Sequence, residues 1–119
     1  MQIDTAYLAD LFGDDVEEAG RVLAMMFDSS RQQLQQLRKA LAGDDRGAIG
    51  DAAHQMAGAT VICGLVDLSR RLRALEVRAK TESLETLSAT VDAIALTLDE
   101  AQAEGRRQFP LPSGATPDA

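Results

Sequence analysis

The sequence predicts an all-α protein: an antiparallel up-down-up-down four-helix bundle with a short extra helix at its N-terminus. Apolar residues recur at spacings of three and four through four long segments, which is the pattern of amphipathic helices. Hydrophobic residues make up 45% of the chain but aromatic residues only 3%, so the core is expected to consist mainly of small and aliphatic side chains. The connections are only a few residues long, which favours antiparallel neighbours.

The first two helices are marked by their end residues. A short helix is predicted over 5–11, capped by Asp4 and ended by Gly13. The acidic pair at 14–15 opens a long helix, because carboxylates are favourable at a helix N-terminus. Gly43 is expected to end that helix.

The third helix is predicted to begin at one of the acidic residues at 44–45 and to end near Gly64. Its apolar seam consists of Ile49, Ala52, Met56, Ala59 and Cys63. The fourth segment covers 65–80, and leucines lie between its basic residues. We interpret the basic cluster as a solvated face, with local attraction of anions as the alternative. Its members are Arg70, Arg71, Arg73, Arg78 and Lys80.

The fifth helix is predicted over 82–104, with Thr81 or Ser83 as its cap. Beyond Glu104 the amphipathic pattern stops and all three prolines appear. We therefore expect a single helical domain over 1–104 and a flexible C-terminal tail over 105–119.

Composition argues against several classes of function. The formal net charge of −7 disfavours binding to nucleic acid or to an anionic membrane. No apolar run approaches the roughly 20 residues of a membrane span, and the N-terminus does not resemble a signal peptide, so a cytoplasmic protein is expected. Cys63 is the only cysteine, which excludes an internal disulfide and a cysteine-rich metal site.

The only histidine, His54, lies on the side of its helix opposite the apolar seam. The residues predicted to share its face are small or polar, with one valine: Gly47, Gly50, Asp51, Ala57, Gly58 and Val61. The imidazole is therefore expected to project from a surface that another protein can approach.

A lone histidine of this kind can have one of four roles. The helical phase argues against a buried structural histidine. A metal ligand would need partners at helical spacing, and these positions offer only one carboxylate, Asp51, so no metal site is expected. A general base of a hydrolase would need a pocket, which a convex bundle surface does not provide. A nucleophile that accepts and passes on a phosphoryl group needs only an accessible ring.

The segment DAAHQMAGATVICGLVDLSRRLRALE resembles the signature of histidine-containing phosphotransfer (HPt) domains. In that family the phosphorylated histidine is followed by glycine four and ten residues later, as His54 is by Gly58 and Gly64. Other matching positions are Ala53, Met56, Leu68, Leu72, Leu75 and Glu76. In helix order and length the resemblance extends over 4–104.

The resemblance implies a phosphorelay intermediate whose phosphoryl acceptor is His54. The phosphoryl group would come from the receiver domain of a hybrid sensor histidine kinase and go to a response regulator. The partner receiver would bring Mg²⁺, and the protein would have no cofactor of its own. No phosphate-binding glycine loop is present, so the protein is expected to be a carrier without autonomous kinase activity. The resemblance also implies a monomer. The residues expected to provide docking and access are Gly50, Gln55, Ala57, Gly58 and Val61.

One position departs from the family pattern. Where the family usually has lysine, three residues after the histidine, this chain has Ala57. The loss of that ammonium should weaken the stabilisation of phosphohistidine. It favours the alternative hypothesis, a bundle that binds and regulates a receiver domain or kinase without carrying phosphate. The neighbouring Gln55 is either a donor to phosphate or a plain surface residue.

Overall fold

The computed structural model describes residues 5–62 and 64–109. These residues form α1 (Thr5–Phe12), α2 (Val16–Ala42), α3 (Arg46–Ile62), α4 (Val66–Arg78) and α5 (Leu84–Gln108). No strand occurs in either described range, so the all-α prediction is confirmed. The predicted cap Asp4 and the seam residue Cys63 lie outside the described residues.

The four long helices enclose one core. Helix α2 packs against α3 and α5, and α4 packs against the same two helices, while α1 contacts α2. Each long helix contributes fully buried aliphatic side chains, joined by one phenylalanine. The largest of them are Leu23, Phe27, Leu37, Ile49, Met56, Leu68, Leu72, Leu75, Leu87 and Ile94. The core therefore has the aliphatic composition that the sequence predicted.

Side-chain caps begin three of the four long helices. Asp15, Asp45 and Ser83 each accept a hydrogen bond from the backbone N–H three residues ahead, at 2.9, 3.0 and 3.1 Å. Each cap satisfies a donor that the helix itself cannot, which is worth about 1 kcal/mol. The structure thus selects Asp45 over Asp44, and Ser83 over Thr81, as the capping residue.

Gly64 forms the sharp turn between α3 and α4. Its φ of +80° lies in the left-handed region that favours glycine. Around it, the N–H of Leu65 donates to the carbonyl of Thr60 at 3.0 Å, and the N–H of Gly64 donates to that of Val61 at 3.1 Å. These bonds close the end of α3 and direct α4 back along it.

Helix α5 ends later than the sequence predicted. It continues past Glu104 to Gln108, and Phe109 packs against the core. Arg107 and Gln108 donate hydrogen bonds to the Glu104 carboxylate, which lower its pKa below the usual value. The amphipathic pattern missed this last turn, because local polar pairing and the packing of the partly buried Phe109 extend the helix. The rest of the predicted tail, 110–119, lies outside the described residues.

Charged pairs link α2 to α5 on the outside of the bundle. Arg31 contacts Asp99 at 2.9 Å and also bonds to Gln102, and Arg38 contacts Asp92 at 2.9 Å.

Within the described ranges, no helix is both long enough and apolar enough to cross a membrane.

Candidate functional site

The side chain of His54 projects outward from the middle of α3. It is 67% exposed. The predicted orientation is therefore confirmed, and a buried structural role is excluded. Because the ring lies on a regular helix within a packed bundle, its backbone is held rigidly although its side chain is open to solvent.

Glu76 of α4 orients the ring. The Nδ1 atom of His54 lies 3.2 Å from Oε1 of Glu76. An ionised carboxylate only accepts hydrogen bonds, so this contact places the proton of a neutral imidazole on Nδ1. The lone pair is then on Nε2, the nitrogen that the Glu76 contact leaves for a reaction partner.

Small residues let α3 and α4 approach each other closely at this point. A Cβ atom added to Gly50 would lie 3.9 Å from the backbone oxygen of Glu76. One turn beyond His54, the buried hydroxyl of Ser69 donates to the carbonyl of Ala57 at 3.1 Å. The close approach is what allows a side chain as short as glutamate to reach the histidine.

The surface around the ring, hereafter the His54 face, is formed by Gly47, Gly50, Asp51, His54, Gly58 and Val61. Gly47 and Asp51 are exposed, Gly50 and Gly58 are half-buried, and Val61 is 37% exposed. A Cβ atom added to Gly58 would meet nothing within 4 Å. The predicted exposure of Val61 is confirmed, and the face is nearly free of large side chains next to the ring.

The predicted placement of Ala57 on this face is wrong. Ala57 is 1% exposed and belongs to the core. The prediction used a single narrow apolar seam, whereas α3 packs against both α2 and α4. Its buried arc is therefore wider and turned towards α4, so that Ala53, Ala57 and Thr60 are buried while Ala59 is only partly so.

Gln55 lies at the opposite edge of α3, beside α2. Its Oε1 accepts a hydrogen bond from Nε2 of Gln33 at 2.9 Å. The side chain is exposed and its own amide donor group is not used in that bond. Gln55 is thus one of the predicted docking residues that the structure places at the surface, at the border with α2.

Arg46 has a structural role that the sequence did not reveal. Its Nη1 donates to the backbone carbonyls of Ala79 and Glu82, at 3.0 and 2.6 Å. The guanidinium thereby fastens the start of α3 to the connection after α4. No spacing rule predicts this contact, because the partners lie more than 30 residues away and are backbone atoms.

The arrangement provides an oriented nucleophile on an open surface. In the part of the chain that the structure describes, no three histidine, cysteine, aspartate or glutamate residues converge on a common point. The ring nitrogen can attack an electrophile, but the groups that would stabilise the charge of that electrophile must come largely from whatever docks over it.

Comparison with known proteins gives one match. The family model described as Hpt domain matches residues 21–104, which extend from within α2 into α5. Neither the curated proteins nor the solved structures that were searched gave a match. Hpt domains are phosphotransfer carriers, generally not enzymes, that take part in histidine phosphotransfer in two-component signalling. The matched range includes His54 and both helices that position it, and we conclude that the chain belongs to the Hpt domain family.

Proposed function

We propose that this protein is a phosphorelay intermediate that carries a phosphoryl group on Nε2 of His54. The group would come from an aspartate in the receiver domain of a hybrid sensor kinase and pass to an aspartate of a response regulator. The observation that carries the proposal is the exposed His54 ring whose Nδ1 is engaged by Glu76.

The transfer step follows from this tautomer. The lone pair of Nε2 attacks phosphorus, and the P–N bond forms as the P–O bond of the aspartyl phosphate breaks. The electron pair of the broken bond leaves with the aspartate carboxylate. The Nδ1 proton stays on the ring, where the Glu76 carboxylate compensates the positive charge of the phosphorylated imidazole. The second transfer reverses these steps on the next aspartate.

The remaining groups are assigned to the partner. Receiver aspartates use Mg²⁺ in this chemistry, so the metal would be supplied by the receiver and no cofactor would be bound by this chain. The protein would have no autonomous kinase activity. It would act as a monomer in the cytoplasm, where such relays take place.

The proposed docking surface is the His54 face. Gly58 leaves the ring accessible on one side along the helix axis, because a Cβ atom there would meet nothing within 4 Å. Val61 and Val66, which are 37% and 41% exposed, offer apolar contact at the α3–α4 end of the face. The pairwise helix contacts and short connections support an antiparallel up-down-up-down order, in which α2 and α4 border this face on its two sides.

The test is to mix the full chain with a panel of ³²P-phosphorylated receiver domains. We expect acid-labile, base-stable label to appear on the protein, which is the behaviour of phosphohistidine. Binding of a receiver without label would instead support the alternative function, a non-transferring regulator, for which the replacement of the usual lysine by Ala57 is the specific argument.

Glu76→Gln should slow phosphoryl uptake by about tenfold, the effect expected when one charge-assisted hydrogen bond is lost. The amide no longer requires the proton on Nδ1 and no longer compensates the charge of the phosphorylated ring. Single-turnover transfer measures the rate, and ¹⁵N NMR of the imidazole measures the tautomer. Asp67→Asn is the matched control, since Asp67 is an exposed carboxylate in the first turn of the same helix. Equal rates for both variants would show that Glu76 does not position the ring.

A further inference from the structure

A phosphoryl group on His54 needs a positive charge that α3 does not provide. It would add negative charge to a ring whose Nδ1 is already 3.2 Å from the Glu76 carboxylate. The family position for the cation is Ala57 in this chain, and that residue is buried. The cation must therefore come from another helix of this chain or from the partner.

The contacts between α3 and α4 show which residues are level with His54. Gly50 lies opposite the backbone of Glu76, and Ala57 lies opposite Ser69. Seven residues forward on α3 thus correspond to seven residues back on α4, so the two helices run in opposite directions. His54 lies four residues after Gly50, and Leu72 lies four residues before Glu76. Leu72 is therefore the residue of α4 that is level with His54.

Arg73 follows Leu72 and points to the solvent side of the contact. Leu72 is fully buried, whereas Arg73 is exposed. Arg73 lines the same surface groove as Gly50, Asp51 and Glu76, so it borders the His54 face. Two other arginines of α4, Arg71 and Arg78, line a separate groove between α4 and α5.

Arg73 is also available to bind an anion. Arg31, Arg38 and Arg46 are all held by ion pairs or hydrogen bonds, but Arg73 makes no ion pair with any residue in the described ranges. The acidic groups that share its groove are Asp51 and Glu76, and neither is within ion-pair distance of it.

We propose that Arg73 binds the phosphoryl group on His54 and replaces, from α4, the charge that Ala57 lacks on α3. This inference rests on the proposed function and names the group that stabilises its intermediate. A guanidinium presents two parallel donors to phosphoryl oxygens, so Arg73 can hold the group while the P–N bond persists.

The test measures the phosphorylated chain in the absence of a docking partner. The full chain is phosphorylated with potassium phosphoramidate, which needs no receiver, and the phosphoryl group is titrated by ³¹P NMR. Arg73→Gln should move the second ionisation of the phosphoryl group to higher pH, because the dianion loses its cation. Arg73→Lys, which keeps the charge but not the two parallel donors, should shift it less than Arg73→Gln does. Arg78→Gln, the same charge change on the opposite side of α4, should leave the titration unchanged.

A second readout is the equilibrium of transfer from a phosphorylated receiver. Arg73→Gln should shift it towards the donor by about fivefold, the size expected for one exposed charge pair. The same equilibrium is measured for Lys80→Gln, because Lys80 lines the same groove but lies two turns from Arg73. If Arg73→Gln behaves like Arg78→Gln in both readouts, or if only Lys80→Gln has the effect, the assignment of Arg73 is wrong.

Failure of the proposed function gives a different result. In that case receivers transfer no phosphoryl group to the wild type, while the chemically phosphorylated chain still shows whether Arg73 affects the titration. If neither reagent labels His54, both proposals are overturned.

Discussion

His54→Gln is expected to abolish phosphoryl uptake completely while leaving the fold intact. The substitution removes the only imidazole in the chain, and glutamine has no comparable nucleophile. The side chain is 67% exposed, so the free energy of unfolding should change by no more than about 0.5 kcal/mol. Autoradiography after incubation with a phosphorylated receiver measures the uptake, and circular dichroism with a thermal melt measures the fold.

Gln35→Ala is the control for His54→Gln, because Gln35 is an exposed residue of α2 that belongs neither to the His54 face nor to the predicted docking residues. It should retain most of the uptake. Label retained on His54→Gln would mean that another residue carries the phosphoryl group. A large fall in melting temperature would mean that the ring stabilises the bundle, in conflict with its exposure.

Gly58→Leu is expected to reduce transfer from a receiver by about a hundredfold, the effect of displacing reacting groups by roughly 1 Å. A Cβ atom at Gly58 meets nothing within 4 Å, so the added side chain extends into solvent one turn from His54 and obstructs docking. The helix itself should be stabilised by up to about 1 kcal/mol, because leucine has the higher helix propensity. Stopped-flow or quenched transfer gives the rate, and chemical denaturation gives the stability.

Two controls separate docking from chemistry in this variant. Phosphorylation by phosphoramidate should stay normal, since a small reagent does not need the whole face. Ala103→Leu introduces the same side chain at an exposed position of α5, a helix that does not pack beside α3 in the described ranges, and it should transfer normally. Normal transfer by Gly58→Leu would show that receivers do not dock on the His54 face.

The fold could be predicted largely from periodicity and end residues. Apolar spacing identifies each long helix, and capping residues such as Asp15, Asp45 and Ser83 act through local hydrogen bonds that sequence spacing describes well. The end of α5 was predicted too early, because Phe109 packs against the hydrophobic core. A tertiary contact of this kind leaves no local pattern.

The site was predictable only as far as one helix determines it. The phase of α3 places His54 outside, and this was correct. Three other features depend on how closely α4 approaches α3 and in which register. They are the burial of Ala57, the contact of His54 with Glu76, and the hydrogen bonds of Arg46 to the connection after α4. Gly50 and Ser69 set that approach, and their effect appears only when the two helices are seen together.

The most direct test of the central claim is to locate the phosphoryl group after transfer from a phosphorylated receiver. In a ¹H–³¹P correlation spectrum, phosphorus on Nε2 couples to both carbon-bound ring protons, whereas phosphorus on Nδ1 couples to only one. We expect one phosphorus to couple to both Hδ2 and Hε1 of His54. A phosphoryl group on Nδ1, on a carboxylate, or absent from the chain would contradict it.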